Sequence, residues 1–496
     1  MNAVEFPSHP HPLNLKEFSS EEEENSRICG LCGETLVGSG YECCQCDFAA
    51  HLGCAENPPS VVIEESKIHE HTLTLLPTQV SFTCNACGLT GDRSPYVCLK
   101  CSFMTHKDCI EFPRVISINR HDHRMFYTSF LGPGKWTCGV CHQGMEGRYG
   151  AYSCHHCPNF ATHSTCATRR DVWDGRELEM NPEGKDEENG EQLYFALDET
   201  LILHFSHKHH YLRHQDEHTD AAICCGCALP IATETFYRCQ ECDFFLHQRC
   251  ALLPQHKTTF LHVHPLTLCS DDERLGGPNG LSRCHACELH FNGFSYRCLE
   301  CDVEFDIRCS SVTEPFEVYC HDHPLFLDDV PTDEIENAKI CIGCGLEGLK
   351  YVLSCLECNL HLCFACAVLP SMAKYKYDEH LLSIHTGLED ATGQYLCDVC
   401  EKKIEEMGNY YKCLSCGPVL HTSCAVGSFR HMRPWLSFIS DGCEYKVVCN
   451  DWTPQLRCSN CHNDCYEPLL VMSTTTNTDD AIYLCSSRCF TAYVPV

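Results

Sequence analysis

Pairs of cysteines separated by two residues recur along this chain of 496 residues, and pairs of histidines precede them. A C-x2-C segment places two thiolates on one tight turn, where both reach a single tetrahedral ion at about 2.3 Å. In an H-x-H segment both imidazoles lie on the same face of an extended strand and can also reach one ion. The residue types and their spacing therefore indicate metal coordination.

The 47 cysteines and 32 histidines leave a disulfide scaffold as the alternative to a metal protein. The N-terminal segment "MNAVEFPSHPHPLNLKEF" has neither the basic start nor the apolar run of a secretory signal. No stretch approaches the roughly 20 apolar residues of a membrane span, and disulfide frameworks do not require histidines at fixed offsets. We therefore predict an intracellular zinc protein of the cytoplasm or nucleus, without signal peptide or transmembrane segment.

The metal-ligating segments repeat seven times along the chain. Each repeat has an H-x-H segment, a first C-x2-C pair, a second C-x2-C pair and a closing H-x2-C. The predicted modules span residues 6–58, 66–113, 118–168, 201–254, 259–312, 317–371 and 376–428. An acidic linker is expected at 169–200, and a degenerate zinc-binding unit at 429–496.

Eight candidate ligands per module predict two closed four-ligand sites, hence about two Zn²⁺ per module and a structural rather than catalytic role. Two ligand positions vary. In the seventh module, Asp378 replaces the first histidine of the H-x-H segment. The histidine of the closing H-x2-C is replaced by Asp306 in the fifth module and by Cys363 in the sixth. The predicted ligands, in chain order, are His9, His11, Cys29, Cys32, Cys43, Cys46, His51, Cys54, His69, His71, Cys84, Cys87, Cys98, Cys101, His106, Cys109, His121, His123, Cys138, Cys141, Cys154, Cys157, His163, Cys166, His207, His209, Cys224, Cys227, Cys239, Cys242, His247, Cys250, His262, His264, Cys284, Cys287, Cys298, Cys301, Asp306, Cys309, His321, His323, Cys341, Cys344, Cys355, Cys358, Cys363, Cys366, Asp378, His380, Cys397, Cys400, Cys413, Cys416, His421 and Cys424.

Two pairings of these ligands are compatible with the spacing. In the interleaved pairing, which the chain order favours, the H-x-H pair joins the second cysteine pair, and the first cysteine pair joins the closing H-x2-C. A sequential pairing is the alternative. About 50 residues with few aliphatic side chains cannot build an adequate apolar core, so we expect small zinc-stabilised β-rich modules in tandem. Two sets of aromatic residues are predicted to pack in these small cores, namely Tyr41, Tyr96, Tyr152, Tyr237, Tyr296 and Tyr411, and Phe48, Phe103, Phe160 and Phe244.

This layout resembles the plant cysteine/histidine-rich divergent C1 (DC1) domain proteins. "HVHPLTL" (262–268) and "YRCQECDFFLHQRC" (237–250) carry the resemblance, which covers about residues 6 to 428. It implies C1-like zinc fingers with two interleaved zincs and a link to signalling, without an established catalytic activity. The lipid-binding C1 domain has a further cysteine after the H-x2-C that these modules lack, so diacylglycerol or membrane binding is not expected.

The C-terminal unit departs from the repeat. Of an H-x-H segment only His431 remains, in "RHMRPWLSF". One more zinc is expected from Cys458, Cys461, Cys485 and Cys489, with Cys465 as an alternative ligand.

The position of Asp306 reads His, His, His, His, Asp, Cys and His across the seven modules. Every one of these side chains can bind zinc, so we interpret Asp306 as a ligand through a carboxylate oxygen. Decay of the site is the alternative interpretation, in which case Glu304 or His290 is the nearest substitute.

The pattern favours some functions over others. We expect a non-catalytic interaction protein with protein partners. A zinc–thiolate redox protein is the main alternative, but no thioredoxin-like βαβ pattern accompanies the cysteine pairs. A net charge of −32 disfavours nucleic acid as a partner. A PHD-type cross-brace would leave all seven H-x-H segments unused.

Overall fold

A strand that begins at the H-x-H segment organises each module. The computed structural model describes residues 4–6, 9–18, 27–32, 35–58, 60–76, 80–92, 94–181, 193–216, 222–231, 234–270, 281–318, 321–328, 339–347, 351–387, 395–405, 408–440, 442–451, 455–473 and 481–494. They fall into two compact units, Met1–Glu183 and Gly184–Val496. The acidic segments 19–26 and 182–192, the latter within the predicted linker, lie outside the described residues.

The first unit holds three modules, each with an antiparallel four-stranded sheet and a short closing helical turn. The first sheet contains Val4–Phe6, His9–Phe18, Gly38–Cys43 and Ala49–His51, and ends in the helix Leu52–Glu56. The second contains Val62–Ile63, Leu73–Leu75, Tyr96–Cys98 and Met104–Thr105, with the 3-10 helix Asp108–Glu111. The third contains Val115–Ile118, His121–Thr128, Ala151–Cys154 and Ala161–His163, with the helix Ser164–Ala167. Two-strand ribbons carry the first cysteine pair in the second and third modules, Phe82–Thr83 with Thr90–Gly91 and Trp136–Thr137 with Gly144–Met145.

The second unit holds the other four modules and the C-terminal unit. The fourth module contains Tyr194–Ala196, Leu201–His204, His207–Gln215, Phe236–Cys239, Phe245–His247 and the helix Gln248–Ala251. The fifth contains His256–Thr259, His262–Cys269, Ser295–Arg297 and Glu304–Asp306, the ribbon Ser282–Arg283 with His290–Phe291, and the 3-10 helix Cys309–Ser311. The sixth contains Leu325–Asp328, Val352–Cys355, His361–Cys363 and the helix Phe364–Ala367. The seventh contains Met372–Lys374, Leu381–Thr386, Asn409–Lys412, Val419–His421 and the helix Thr422–Ala425. The C-terminal unit contains Ser437–Ser440, Cys443–Cys449, Leu469–Ser473, Tyr483–Leu484 and the helix Ser487–Tyr493.

One register recurs in these sheets and aligns the ligands. The apolar residue after the histidine pair lies directly opposite the first cysteine of the second pair: Leu13 opposite Cys43, Leu73 opposite Cys98, Met125 opposite Cys154, Leu212 opposite Cys239 and Leu325 opposite Cys355. All five apolar side chains are completely buried. Each is therefore the packing anchor that fixes the histidine strand against the cysteine strand. The expected small β-rich modules in tandem are confirmed.

Residues that connect the predicted modules form the first strand of the following sheet in modules two, three, five and seven. Val115–Ile118 shows the period of two, with Ile116 and Ile118 buried and Ser117 exposed. Both ends of the predicted linker 169–200 are also structured. The Leu178 amide donates to the Val115 carbonyl (2.8 Å), and Tyr194–Ala196 pairs with Leu201–His204.

Five of the six tyrosines predicted as core, all but Tyr41, are buried. Four hydroxyls, those of Tyr96, Tyr152, Tyr296 and Tyr411, donate to carbonyls of Ser60, Pro113, Pro254 and Pro370 at 2.7–2.8 Å. Each carbonyl belongs to the chain arriving from the preceding module, so the tyrosine holds that connection against its own sheet. None of the helices in the described residues has the length and apolar character needed to cross a bilayer.

Among the described residues, neighbouring modules within a unit dock through the same backbone contact at three places. The donors immediately precede or begin the third sheet strand, and the acceptors lie between the two cysteines of the first pair. Each bond runs from a backbone amide to a backbone carbonyl. Gly150 donates to the carbonyl of Asn85 (2.7 Å), Phe294 to that of Gly226 (2.8 Å) and Asn409 to that of Gly343 (2.9 Å). The first cysteine pair of one module is therefore part of the interface with the next.

Close backbone approach at one of these contacts gives a test of docking. A Cβ added at Gly293 would clash with the Gly226 carbonyl oxygen, whereas one at Gly53, in the helix Leu52–Glu56, meets nothing within 4 Å. Gly293→Ala should destabilise the fourth and fifth modules by about 1–3 kcal/mol through overpacking. Gly53→Ala should be neutral or slightly stabilising because alanine favours a helix. Hydrogen exchange at the Phe294 amide would measure the difference, and equal protection in both variants would contradict this role.

Candidate metal centres

Two kinds of four-donor cluster recur in the modules. We call the cluster of the histidine pair with the second cysteine pair the strand site, because its donors lie on or beside the two central strands. We call the cluster of the first cysteine pair with the closing His and Cys the loop site, because its donors come from a tight turn, the last strand and the closing helical turn. In the first module, the strand site is His9, His11, Cys43 and Cys46, and the loop site is Cys29, Cys32, His51 and Cys54. This is the interleaved pairing.

The same grouping is found in the next two modules. His69 and His71 join Cys98 and Cys101, Cys84 and Cys87 join His106 and Cys109, and His121 and His123 join Cys154 and Cys157. In each of these clusters all donor atoms lie within 4.8 Å of one another. Since ligands from distant parts of the module meet, each cluster ties the two halves of a module together.

Distances between donor atoms fit a tetrahedral ion. Bonds of 2.0–2.3 Å at tetrahedral angles put neighbouring S and N ligands about 3.5–3.8 Å apart. In the loop sites, the closing histidine Nδ1 lies 3.3–3.4 Å from the second cysteine of the first pair in modules one to four and seven. In the strand sites, Cys46 Sγ lies 3.2 Å from His9 Nε2 and Cys43 Sγ lies 3.7 Å from His11 Nδ1.

Nitrogen atoms without partners mark the direction of the ion. A buried nitrogen without a hydrogen-bond partner costs free energy unless a further group satisfies it. Such atoms occur in the strand sites of modules two, three, four and six, namely His71 Nδ1, His121 Nε2, His210 Nδ1 and His321 Nε2. In the seventh module the orphan is Asp378 Oδ2. A zinc ion bound by each set would satisfy these atoms, and the thiolate and imidazole donors are those that zinc prefers.

Surrounding groups fix the orientation of the imidazoles. The rings of Phe48, Phe103, Phe160 and Phe244 stack on the first histidine of their modules, with centroids 3.9–4.3 Å apart and planes within 13°. These phenylalanines are half-buried and also pack against the small apolar cores, as predicted. Backbone carbonyls orient the closing histidines in a similar way. Nε2 of His51, His247 and His421 lies 3.0–3.3 Å from a backbone carbonyl oxygen, and this contact turns Nδ1 toward the metal position.

Hydrogen bonds within the loop sites stabilise thiolates. The Cys166 thiol lowers the pKa of Cys138 to about 3, and the Cys424 thiol does the same for Cys397. Bonding to these sulfurs in turn raises the pKa of His163 and His421. Because a metal binds the deprotonated sulfur, the affinity of these sites for a metal ion should fall as the pH falls.

The fourth module corrects one predicted ligand. His209 is exposed, and His210 takes its place: His210 contacts His207 edge to face at 5.4 Å, as the second histidine contacts the first in other modules. Its Nε2 faces Glu241 (3.4 Å), as His264 faces Glu300 and His323 faces Glu357.

A bulge is the physical reason for this correction. Ile202 pairs with Leu212 and His204 with His207, whereas in the third module Ile116 pairs with Met125 and Ile118 with His121. The fourth module thus has one extra residue between the first histidine and the anchor. The anchor is Leu212, completely buried, and not Tyr211, which is 47% exposed. Every other anchor is Leu or Met, which was the available signal for the correct register.

The three substituted positions all face their clusters. Asp378 Oδ1 lies 3.1 Å from His380 Nδ1, which lies 3.1 Å from Cys416 Sγ. The His380 amide, the Cys413 thiol and other neighbours lower the pKa of Asp378 to about 2. In the sixth module, Cys363 Sγ lies 3.7 Å from Cys344 Sγ, and both interact with Cys341 and Cys366. These contacts make an all-cysteine loop site.

The fifth module brings a residue that the sequence analysis did not assign. Asp306 is 3% exposed and its Oδ2 lies 3.4 Å from Cys287 Sγ, so the carboxylate points into the loop site. His431, outside the seven modules, lies there too, with Nδ1 3.4 Å from Asp306 Oδ2. The two nearest substitutes considered from sequence point elsewhere: Glu304 bonds to Ser295, and the His290 ring contacts Phe490.

The C-terminal cysteines also converge. Cys485 Sγ lies 3.7 Å from both Cys461 and Cys489, and Cys458 interacts with Cys461. Cys465, completely buried, interacts with Cys485 as well. The structure therefore brings together the four predicted ligands and the alternative one.

Comparison with known proteins identifies the class of these modules. A sequence model of the C1 domain matches residues 7–55, 67–110, 119–167, 205–251, 260–310 and 375–425. Since these matches cover more than half of the chain, the protein belongs to the C1 domain family. The sixth module, with its all-cysteine loop site, is not among the matched segments.

One curated protein is similar over a limited region. A variant-silencing SET domain-containing protein of Plasmodium falciparum (isolate 3D7) is 27% identical over 118 residues, which is 22% of this chain and 4% of that protein. The chain thus spans a small fraction of this relative's length. No solved structure matches.

His209 and His210 form a matched pair for testing the strand site of the fourth module. His210→Ala should raise the alkylation rate of Cys239 and Cys242 about tenfold in the zinc-loaded protein, because a ligand is lost. His209→Ala should leave that rate unchanged, since His209 is exposed. Mass spectrometry of the labelled peptides measures both rates. The reverse order would restore His209 as the ligand.

Proposed function

We propose that this protein is a non-catalytic interaction protein in which zinc-stabilised modules of the divergent C1 type present loops to protein partners. The observation that carries the proposal is the closed, four-donor character of the clusters, whose donors are all side chains of the chain itself. A closed tetrahedron leaves no coordination position for water or substrate, and zinc in it supplies folding energy.

The divergent type, rather than the lipid-binding one, is supported by the ligand set. These modules lack the further cysteine of the lipid-binding C1 domain. The second histidine of the strand site would supply the fourth metal ligand in its place. His11 lies 3.7 Å from Cys43 in this way. We infer a role in signalling within a reducing compartment, where the many thiols remain available to the metal.

Exposed leucines at recurring positions support protein binding. Leu99, Leu299, Leu356 and Leu414 each follow the first cysteine of the second pair and are 81%, 75%, 50% and 74% exposed. Placed at the same point on four metal-rigidified turns, they lose little entropy on contact with a partner, as preorganised groups do. A net charge of −32 makes a basic protein surface a better partner than nucleic acid.

Removal of metal tests the structural role of zinc. Purified protein should contain about 15 zinc ions, from two per module and one in the C-terminal unit. A strong chelator should abolish its β-sheet circular dichroism, because metal binding contributes much of the folding free energy, and added zinc should restore it. A chelated protein that keeps its native spectrum would refute structural zinc. Fast stoichiometric alkylation of the metal-loaded protein would favour the redox alternative.

The leucines test the interaction surface. A variant with serine at Leu99, Leu299, Leu356 and Leu414 should keep the zinc content and circular dichroism of the parent but lose most of the protein cross-linked to it in cell extract. A control with serine at Leu15 and Leu252, which are 57% and 43% exposed, should keep those partners. Equal recovery from both variants would reject these leucines as the contact surface.

A further inference from the structure

The loop site of the fifth module contains five donor side chains where a zinc tetrahedron needs four. Cys284, Cys287 and Cys309 interact with one another there and are buried. Cys287 Sγ lies 3.4 Å from Asp306 Oδ2 and 4.0 Å from His431 Nδ1. His431 comes from a segment 144 residues after Cys287 and is 2% exposed.

Hydrogen bonds on both sides hold the His431 segment against the fifth module. The Arg308 guanidinium donates to the carbonyl of Arg430 (3.2 Å). On the other side, the Arg433 amide donates to Asn292 Oδ1 (2.7 Å), and Asn292, itself 1% exposed, donates back to the Arg433 carbonyl (3.4 Å). The imidazole between these contacts is therefore placed by the fold.

Asp306 has a second task that does not involve a metal. Its Oδ1 accepts hydrogen bonds from the backbone amides of Arg308 (2.9 Å) and Cys309 (3.0 Å), at the start of the 3-10 helix Cys309–Ser311. A short carboxylate that caps this turn leaves room in the site for an imidazole from elsewhere. His431 fills that room, and its Nε2 has no hydrogen-bond partner.

We propose that His431 Nδ1 is a ligand of the zinc held by Cys284, Cys287 and Cys309, in place of the histidine that this module lacks. The inference depends on the zinc binding in the proposed function. It makes this ion a staple between the fifth module and the C-terminal segment, with Asp306 as the capping residue beside it. A Cys3His set is a common structural zinc site.

The test compares three single variants of the full chain, each loaded with zinc and challenged with a competing chelator. Alkylation of Cys284, Cys287 and Cys309 is followed by mass spectrometry. His431→Ala should raise these rates about tenfold, the size expected for a damaged coordination shell. Asp306→Asn, which keeps a capping oxygen, should have a clearly smaller effect. His209→Ala is the matched control and should have none.

A double variant separates ligation from packing. Asp306→His with His431→Ala returns the closing histidine that most other modules have, and should restore slow alkylation of the three cysteines without a ligand from the C-terminal segment. Absence of an effect in His431→Ala, absence of rescue, or a larger effect of Asp306→Asn would each overturn the inference. If the unchanged protein already reacts rapidly in every module, zinc binding itself fails. If the three cysteines react slowly in the unchanged protein and rapidly in His431→Ala, the result supports both zinc binding and the role of His431 as a ligand.

Discussion

Crossed ligation is the constraint on which the rest of each module depends. The donor atoms of a strand site lie within 4.8 Å of one another, and they can do so only if the histidine strand and the second cysteine strand pair in one register. Leu13 opposite Cys43 fixes that register in the first module. A slip of one residue would turn the histidines to the other face of the sheet. Zinc binding of about 10–16 kcal/mol then stabilises a module whose apolar core is small.

Docking between modules follows from the same metal sites. A bound ion would hold the backbone between the two cysteines of a first pair rigidly. A carbonyl of that backbone accepts a hydrogen bond from the amide just before, or at the start of, the third strand of the next module. Phe294 and Gly226 show this contact, as do Asn409 and Gly343. Because a loop site contributes to an interface, loss of the zinc from one loop site would destabilise two modules. Within each unit the stability of one module therefore depends on its neighbours, and the modules are not independent domains.

The ligand segments, the β-rich fold and the interleaved grouping could be read from the sequence because they depend on short, periodic patterns. The choice of His209 over His210 failed because a one-residue bulge changes which imidazole faces the metal without changing the pattern of residue types. His431 could not be found, since no local spacing links it to Cys287. The first strands of the sheets were missed because two to four residues between modules carry too little periodicity.

The fifth module shows how a changed ligand can change architecture. Asp306 in place of histidine adds negative charge to a buried set of thiolates, which is costly unless a cation lies nearby. Arg308, half-buried beside the site, provides one, and it donates hydrogen bonds to the carbonyls of Val368 and Arg430. The same guanidinium thus balances the site and fastens the sixth module and the C-terminal segment to it. Since Gly293 also packs on the fourth module, the fifth module is the point where four parts of the second unit meet, and the residues at its altered loop site make the contacts to two of them, the sixth module and the C-terminal segment.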